Sequence, residues 1–212
     1  MSLLLLVAGA VPVHAHVQIG NYTLATSAFA DEATQVAGTP WTSGCFHRQT
    51  YRICMPPENG LAGYGGIGID AGVHIASDMV FQLDFIDNVV VNQTGSDLVL
   101  FDAAFTATSG YNIAVGDSAG FETFIAFPPD RAIYAGISDL YWYDFHGPHW
   151  AGVMAIEIEL DDFGIAPGAL ITSIRIQATE PTGSNPLSAA ALHSDVVPAE
   201  SRTWGLIKSL YR

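Results

Sequence analysis

The sequence has little positive charge. Seven Lys and Arg stand against 21 Asp and Glu, giving a formal net charge of −14 and a pI near 4.5. A field of that sign repels polyanions, which excludes nucleic acid and anionic membrane surfaces and leaves divalent cations and neutral glycans as partners. Charged residues of both signs make up 13% of the chain, about half of the ordinary ~25%, so long solvated helices of the Glu/Lys type are excluded too. Intrinsic disorder is excluded by the 50% hydrophobic and 11% aromatic content. The two cysteines, Cys45 and Cys54, have no further thiol beside them and lack C-x-x-C spacing, which argues against a thiolate metal site. With 212 residues the chain suits one domain with a sizeable core.

The apolar run at residues 3–11 is too short to cross a bilayer as a helix but has signal-peptide length. Val13-His14-Ala15 offers short residues at the −3 and −1 positions of a cleavage after Ala15. Residues 1–15 are therefore expected to be a signal peptide. The mature chain is expected to be secreted or held at the cell surface, without a transmembrane helix. In an exported chain an even cysteine count favours a disulfide. Cys45 and Cys54 are expected to staple a short peripheral loop, contributing ~2–3 kcal/mol in the chain-entropy model.

A period of two dominates the rest. Phe81, Leu83 and Phe85 alternate with Val80, Gln82 and Asp84; Ile156, Ile158 and Leu160 with Glu157 and Glu159; Ile174 and Ile176 with Arg175 and Gln177. Such runs are half-buried strands with one wet face. Residues 89–91, 98–101 and 111–115 are further strands, the central ones buried on both faces, and Gly, Asn and Asp clusters punctuate them. Many short strands at regular spacing predict an all-β antiparallel sandwich or barrel. One helical turn is expected at 31–37. A single such domain is predicted over residues 16–180. Pro181-Thr-Gly-Ser-Asn-Pro186 opens a linker-like tail over 181–212.

The order of short motifs carries a resemblance. Phe29-Ala-Asp-Glu-Ala-Thr-Gln-Val-Ala-Gly-Thr-Pro40 is followed by Tyr64-Gly-Gly-Ile-Gly-Ile-Asp70, Met79-Val-Phe-Gln-Leu-Asp-Phe85 and Val91-Asn-Gln-Thr-Gly-Ser-Asp97 with Leu98-Val-Leu-Phe-Asp102. Over residues 25–178 this resembles a bacterial exported β-sandwich family whose members often carry a PEP-CTERM sorting signal. Val197-Pro-Ala-Glu-Ser-Arg-Thr-Trp-Gly-Leu206 is faintly similar to the start of that signal. The resemblance implies a cell-surface or matrix protein with a jelly-roll-like fold, and no activity.

Four groups of residues are candidates for chemistry. Gly116-Asp-Ser-Ala-Gly120 matches G-x-S-x-G and resembles the elbow of hormone-sensitive-lipase-like esterases. That reading makes Ser118 the nucleophile, Asp161 or Asp162 the orienter and His193 the base; the alternative is a Gly-rich hairpin turn. The aromatic stretch 141–150 offers Trp142 and Trp150 as stacking platforms for sugar rings. Its Asp144, His146 and His149 are a carboxylate and two imidazoles suited to Zn or Cu. Plain core packing is the third reading of that stretch. Cleavage after Ala15 would make His16 the first residue, similar to copper-dependent polysaccharide monooxygenases, with His149 or His74 as second ligand. Oxygen-rich turns holding Asp31, Asp161 and Asp162 are candidates for structural Ca²⁺. The leading expectation is an exported, non-catalytic sandwich that binds surface or matrix glycan, with calcium as a structural ion. The alternatives are a small secreted esterase or lactonase on Ser118, and a metal-dependent enzyme acting on polysaccharide.

Overall fold

A computed structural model describes residues 16–39, 75–104, 109–117, 119–144, 147–180, 184 and 186–196. Residues 1–15, expected to be a signal peptide, and Cys45, Cys54, His74, Ser118 and His146 lie outside the described residues. The strands are β1 (His16–Ile19), β2 (Tyr22–Ala25), β3 (Glu32–Ala37), β4 (Val80–Asp84), β5 (Asn88–Val91), β6 (Leu98–Ala104), β7 (Tyr111–Asp117), β8 (Gly120–Phe121), β9 (Ile125–Phe127), β10 (Ile133–Asp144), β11 (Gly147–Ile158), β12 (Leu170–Ile171), β13 (Ser173–Ala178), β14 (Pro186–Ala191) and β15 (Ser194–Val196). All their pairings are antiparallel. A larger sheet runs β3-β4-β13-β7-β8, with β9 also paired to β7; a smaller one runs β10-β11-β6-β14; β12-β5-β15 and the β1–β2 hairpin complete the fold. The chain passes back and forth between the two main sheets, as in a jelly-roll-like sandwich.

Alternation decides which residues meet between the sheets. Phe81 and Leu83 of β4, Ile113 and Val115 of β7, and Ile174 and Ile176 of β13 pack against Leu98, Leu100, Ile156, Ile158, Ala189 and Ala191. The opposite faces of β4 and β13 carry Gln82, Asp84, Arg175 and Gln177, all only partly buried. Tyr111 is fully buried, and its hydroxyl donates to Asp102 Oδ1 at 2.7 Å. Burial, then the Asp102 charge, pushes that phenol well above its ordinary value.

The smaller sheet has no wet face at its centre. Val99 and Phe101, facing away from the first core, form a second one with Val153, Ala155, Leu187 and Ala190, which Ile19 and Leu24 of the β1–β2 hairpin cover. Tyr22 packs edge-on to Phe101, with ring centroids 5.4 Å apart. The hairpin reaches this close because its turn residue is Gly20: φ is +56°, and a Cβ there would lie 1.2 Å from the Ala135 carbonyl oxygen.

Two expectations are corrected. Residues 32–37 form an edge strand instead of a helical turn, because β4 offers a free ladder edge and tertiary pairing outweighs local preference. The tail expected from 181 contributes β14 and β15. All six residues of β14 are buried, and it pairs with β6, while β15 pairs with β5. Small residues, Ser188-Ala-Ala-Ala191, fill the narrow space beside β6 without the large apolar side chains that mark a strand.

Candidate functional site

The aromatic stretch forms the end of the β10–β11 hairpin. Its ladder sets Tyr141 opposite Trp150, Trp142 opposite His149 and Asp144 opposite Gly147. Among the described residues 141–144 pair with 147–150, and β11 pairs with β6 from Gly152 to Ile158.

Of the esterase residues, Ser118 lies outside the described residues. On either side of it Gly116 pairs with Phe121 and Asp117 with Gly120 in an antiparallel ladder, and Asp117 Oδ1 accepts the Ala119 N–H at 2.7 Å. A nucleophile elbow requires strand, turn and helix instead. His193 Nδ1 pairs with Asp97 Oδ1 at 3.0 Å, whereas Asp162 pairs with Arg131 at 3.3 Å. Asp97 is fully buried and its two oxygens also accept the N–H groups of Gln93 and Leu160, at 2.7 and 2.9 Å. Its carboxylate ties three loops together, and His193 belongs to that knot.

Nor do Asp31, Asp161 and Asp162 converge. Asp31 accepts the N–H groups of Ile86 and Asp87, in the turn before β5. Asp161 accepts the Asn92 side-chain amide at 2.8 Å, just after β5. Four extended residues separate those two turns by about 13 Å, while ligands of one Ca²⁺ all lie within ~2.6 Å of it. Each carboxylate instead satisfies a neighbouring N–H. Among the described residues no group of three or more His, Cys, Asp and Glu is placed to hold a metal. One acidic pair does interact: burial, and next the charge of Asp31, raise the Asp87 carboxyl above its ordinary value.

An open cleft of about 210 Å³ is lined by Ser96, Arg131, Glu157, Glu159 and Asp162. Glu157 accepts the Tyr22 hydroxyl at 2.6 Å and the Ser96 hydroxyl at 3.0 Å. Burial, then this hydrogen bond and the Glu157 charge, raise the Tyr22 phenol above its ordinary value. The Arg131 guanidinium lies 5.2 Å from the Phe127 ring centroid.

The most ordered polar surface is one the sequence reading did not single out: the outer face of the larger sheet. Cross-strand registers align Thr34, Gln82, Arg175 and Ala114 in one row, and Glu32, Asp84, Ser173, Gly116 and Phe121 in the next. Arg175 donates from Nε and Nη2 to Gln82 Oε1 at 3.2 and 3.1 Å. Gln82 Nε2 donates to Asp84 Oδ1 at 2.9 Å, which also accepts the Ser173 hydroxyl. The Arg175 guanidinium lies 3.8 Å above the Phe121 ring centroid. The register puts Ala114 and Gly116 between these two side chains, and their small size lets the pair close over β7. A Cβ on Gly116 would come within 2.9 Å of Phe121 Cδ1. The alternation that marked this face as wet was visible in the sequence; the network across three strands was not.

Fold and surface together define an all-β antiparallel sandwich with one polar sheet face and a run of aromatic residues on the β10–β11 hairpin. Comparison with known proteins adds no relative: no family model, no curated protein and no solved structure matches the chain.

Proposed function

We propose that this is an exported, non-catalytic β-sandwich of the cell surface or matrix that binds glycan. The observation carrying the reading is the β10–β11 hairpin, whose register gathers Tyr141, Trp142, Tyr143, His149 and Trp150 on two paired strands. Aromatic residues on an extended ribbon suit stacking on pyranose faces, and the net charge of −14 favours a neutral chain over an anionic one. A structural calcium ion belongs to the proposal. What supports it is the excess of 21 Asp and Glu over seven Lys and Arg, whose mutual repulsion a bound divalent cation relieves. The ester-hydrolase and metal-dependent alternatives gain no supporting geometry among the described residues.

Depletion of the protein from solution by insoluble polysaccharides tests the reading. The wild type is expected to be retained, and a Trp142→Ala, Trp150→Ala double variant to be released. Hydrolysis of short-chain nitrophenyl esters that vanishes in Ser118→Ala would overturn it in favour of the esterase. Melting curves in chelator and in millimolar Ca²⁺ test the ion; identical curves remove it.

A further inference from the structure

We infer that the outer face of the larger sheet, centred on Gln82, Asp84, Arg175 and Phe121, is a second binding surface, and that its ligand is an extended, neutral polysaccharide. The inference rests on the glycan reading above and extends it to a surface remote in sequence from the ribbon. Three features carry it.

The side chains are held in place before any ligand arrives. Gln82 is fixed at both ends, by Arg175 on its oxygen and Asp84 on its nitrogen, so little side-chain entropy remains to be lost on binding. Planar amide, guanidinium and carboxylate groups side by side match the paired hydroxyls of a sugar ring.

Hydrogen-bonding capacity is left over. A guanidinium carries five N–H donors. Arg175 directs two groups to Gln82, and its other donors have no partner among the described residues. Asp84 concentrates its bonds on Oδ1, leaving Oδ2 without a partner among the described residues.

Charge and spacing select the ligand. Arg175 is offset by the neighbouring Asp84, within a chain of net charge −14, so a polyanion is repelled while a neutral hydroxylated chain is not. The accessible part of the row, Thr34, Gln82 and Arg175, crosses three strands, about 10 Å at the usual strand separation. A pyranose in an extended chain advances by about one strand spacing, so successive rings meet successive strands.

Affinity electrophoresis through gels containing hydroxyethylcellulose, galactomannan or alginate tests this, with folding of each variant checked by its melting curve. Wild type is expected to be retarded by a neutral polymer and not by alginate. Arg175→Ala and Gln82→Ala should weaken retardation at least tenfold. Arg175→Lys should behave like the alanine variant, because an ammonium keeps the charge but loses the planar fork and the stack on Phe121. Thr34→Trp, an exposed edge substitution that leaves the network untouched, should block the row sterically. If all four variants are retarded like wild type while Trp142→Ala abolishes retardation, the sheet face is not the site and the glycan reading stands. Retardation by alginate alone overturns the neutral ligand. No retardation of wild type by any polymer overturns both readings.

Discussion

The two main sheets have the same construction and opposite surroundings. The smaller one, β10-β11-β6-β14, is covered twice, by the larger sheet on one side and the β1–β2 hairpin on the other. Leu98, Val99, Leu100 and Phe101 are each 0% exposed, so every position of that stretch is spent on packing. The larger sheet is covered on one side of its central strands, and its other face carries a polar network. A strand buried on both faces has no side chain left for a ligand. The side chains open to the proposed ligand are therefore those on the wet face of the larger sheet and at the aromatic end of the β10–β11 hairpin.

Substitutions sharpen this contrast in descending order of effect. Leu100→Ala, in the doubly covered strand, should cost about 2–5 kcal/mol from lost burial and the cavity left behind, read as a lowered denaturant midpoint at unchanged m-value. A loss below 1 kcal/mol would mean that the first core is loosely packed at β6. Gly20→Ala should cost about 1–3 kcal/mol, because the left-handed conformation is strained for any other residue. The added Cβ also meets the Ala135 carbonyl. Proteolysis should then begin within residues 16–25, and an unchanged cleavage pattern would show that the hairpin's cover is dispensable.

Arg175→Ala marks the other side of the comparison. Its stacking on Phe121 is worth about 0.5–1 kcal/mol at such a site, so the melting temperature should move by only a few degrees. A loss as large as that of Leu100→Ala would make the wet face a structural layer and contradict the contrast between the sheets.

The smallest effect is expected from Asp87→Asn, and its sign is a gain. The Asp87 carboxyl is raised in the folded chain by burial and by Asp31. A raised acid favours folding below its unfolded value, and that contribution is lost as pH rises through the folded one. At neutral pH the ionised pair therefore opposes folding, and Asp87→Asn should raise the melting temperature slightly. The gain should vanish in acid, where Asp87 is protonated in both states. A gain that persists unchanged at acid pH would assign it to something other than charge.

The strand faces were legible because alternation is a local property. Phe81, Leu83, Ile174 and Ile176 lie inward and Gln82, Asp84, Arg175 and Gln177 outward, as their spacing implied. β14 was not legible, because Ala189, Ala190 and Ala191 look like linker residues until β6 lies beside them. The candidate sites fared according to range. The Trp142 and His149 pairing is a hairpin register and follows from local order. The partner of His193 is Asp97, 96 positions away, and no spacing rule reaches that far.

The amino-acid sequence by itself determined the all-β class, the antiparallel character and which side chains of β4, β13 and the end of β11 share a face. A two-residue period follows from backbone geometry at each strand alone. Only the tertiary structure decided what covers each face: the hairpin on the smaller sheet, nothing comparable over Gln82 and Arg175 among the described residues, and the length of β5 between the turns held by Asp31 and Asp161. Alternation tells a residue's side but not its neighbour, because neighbours come from strands far apart in the chain, brought together by burial of the whole.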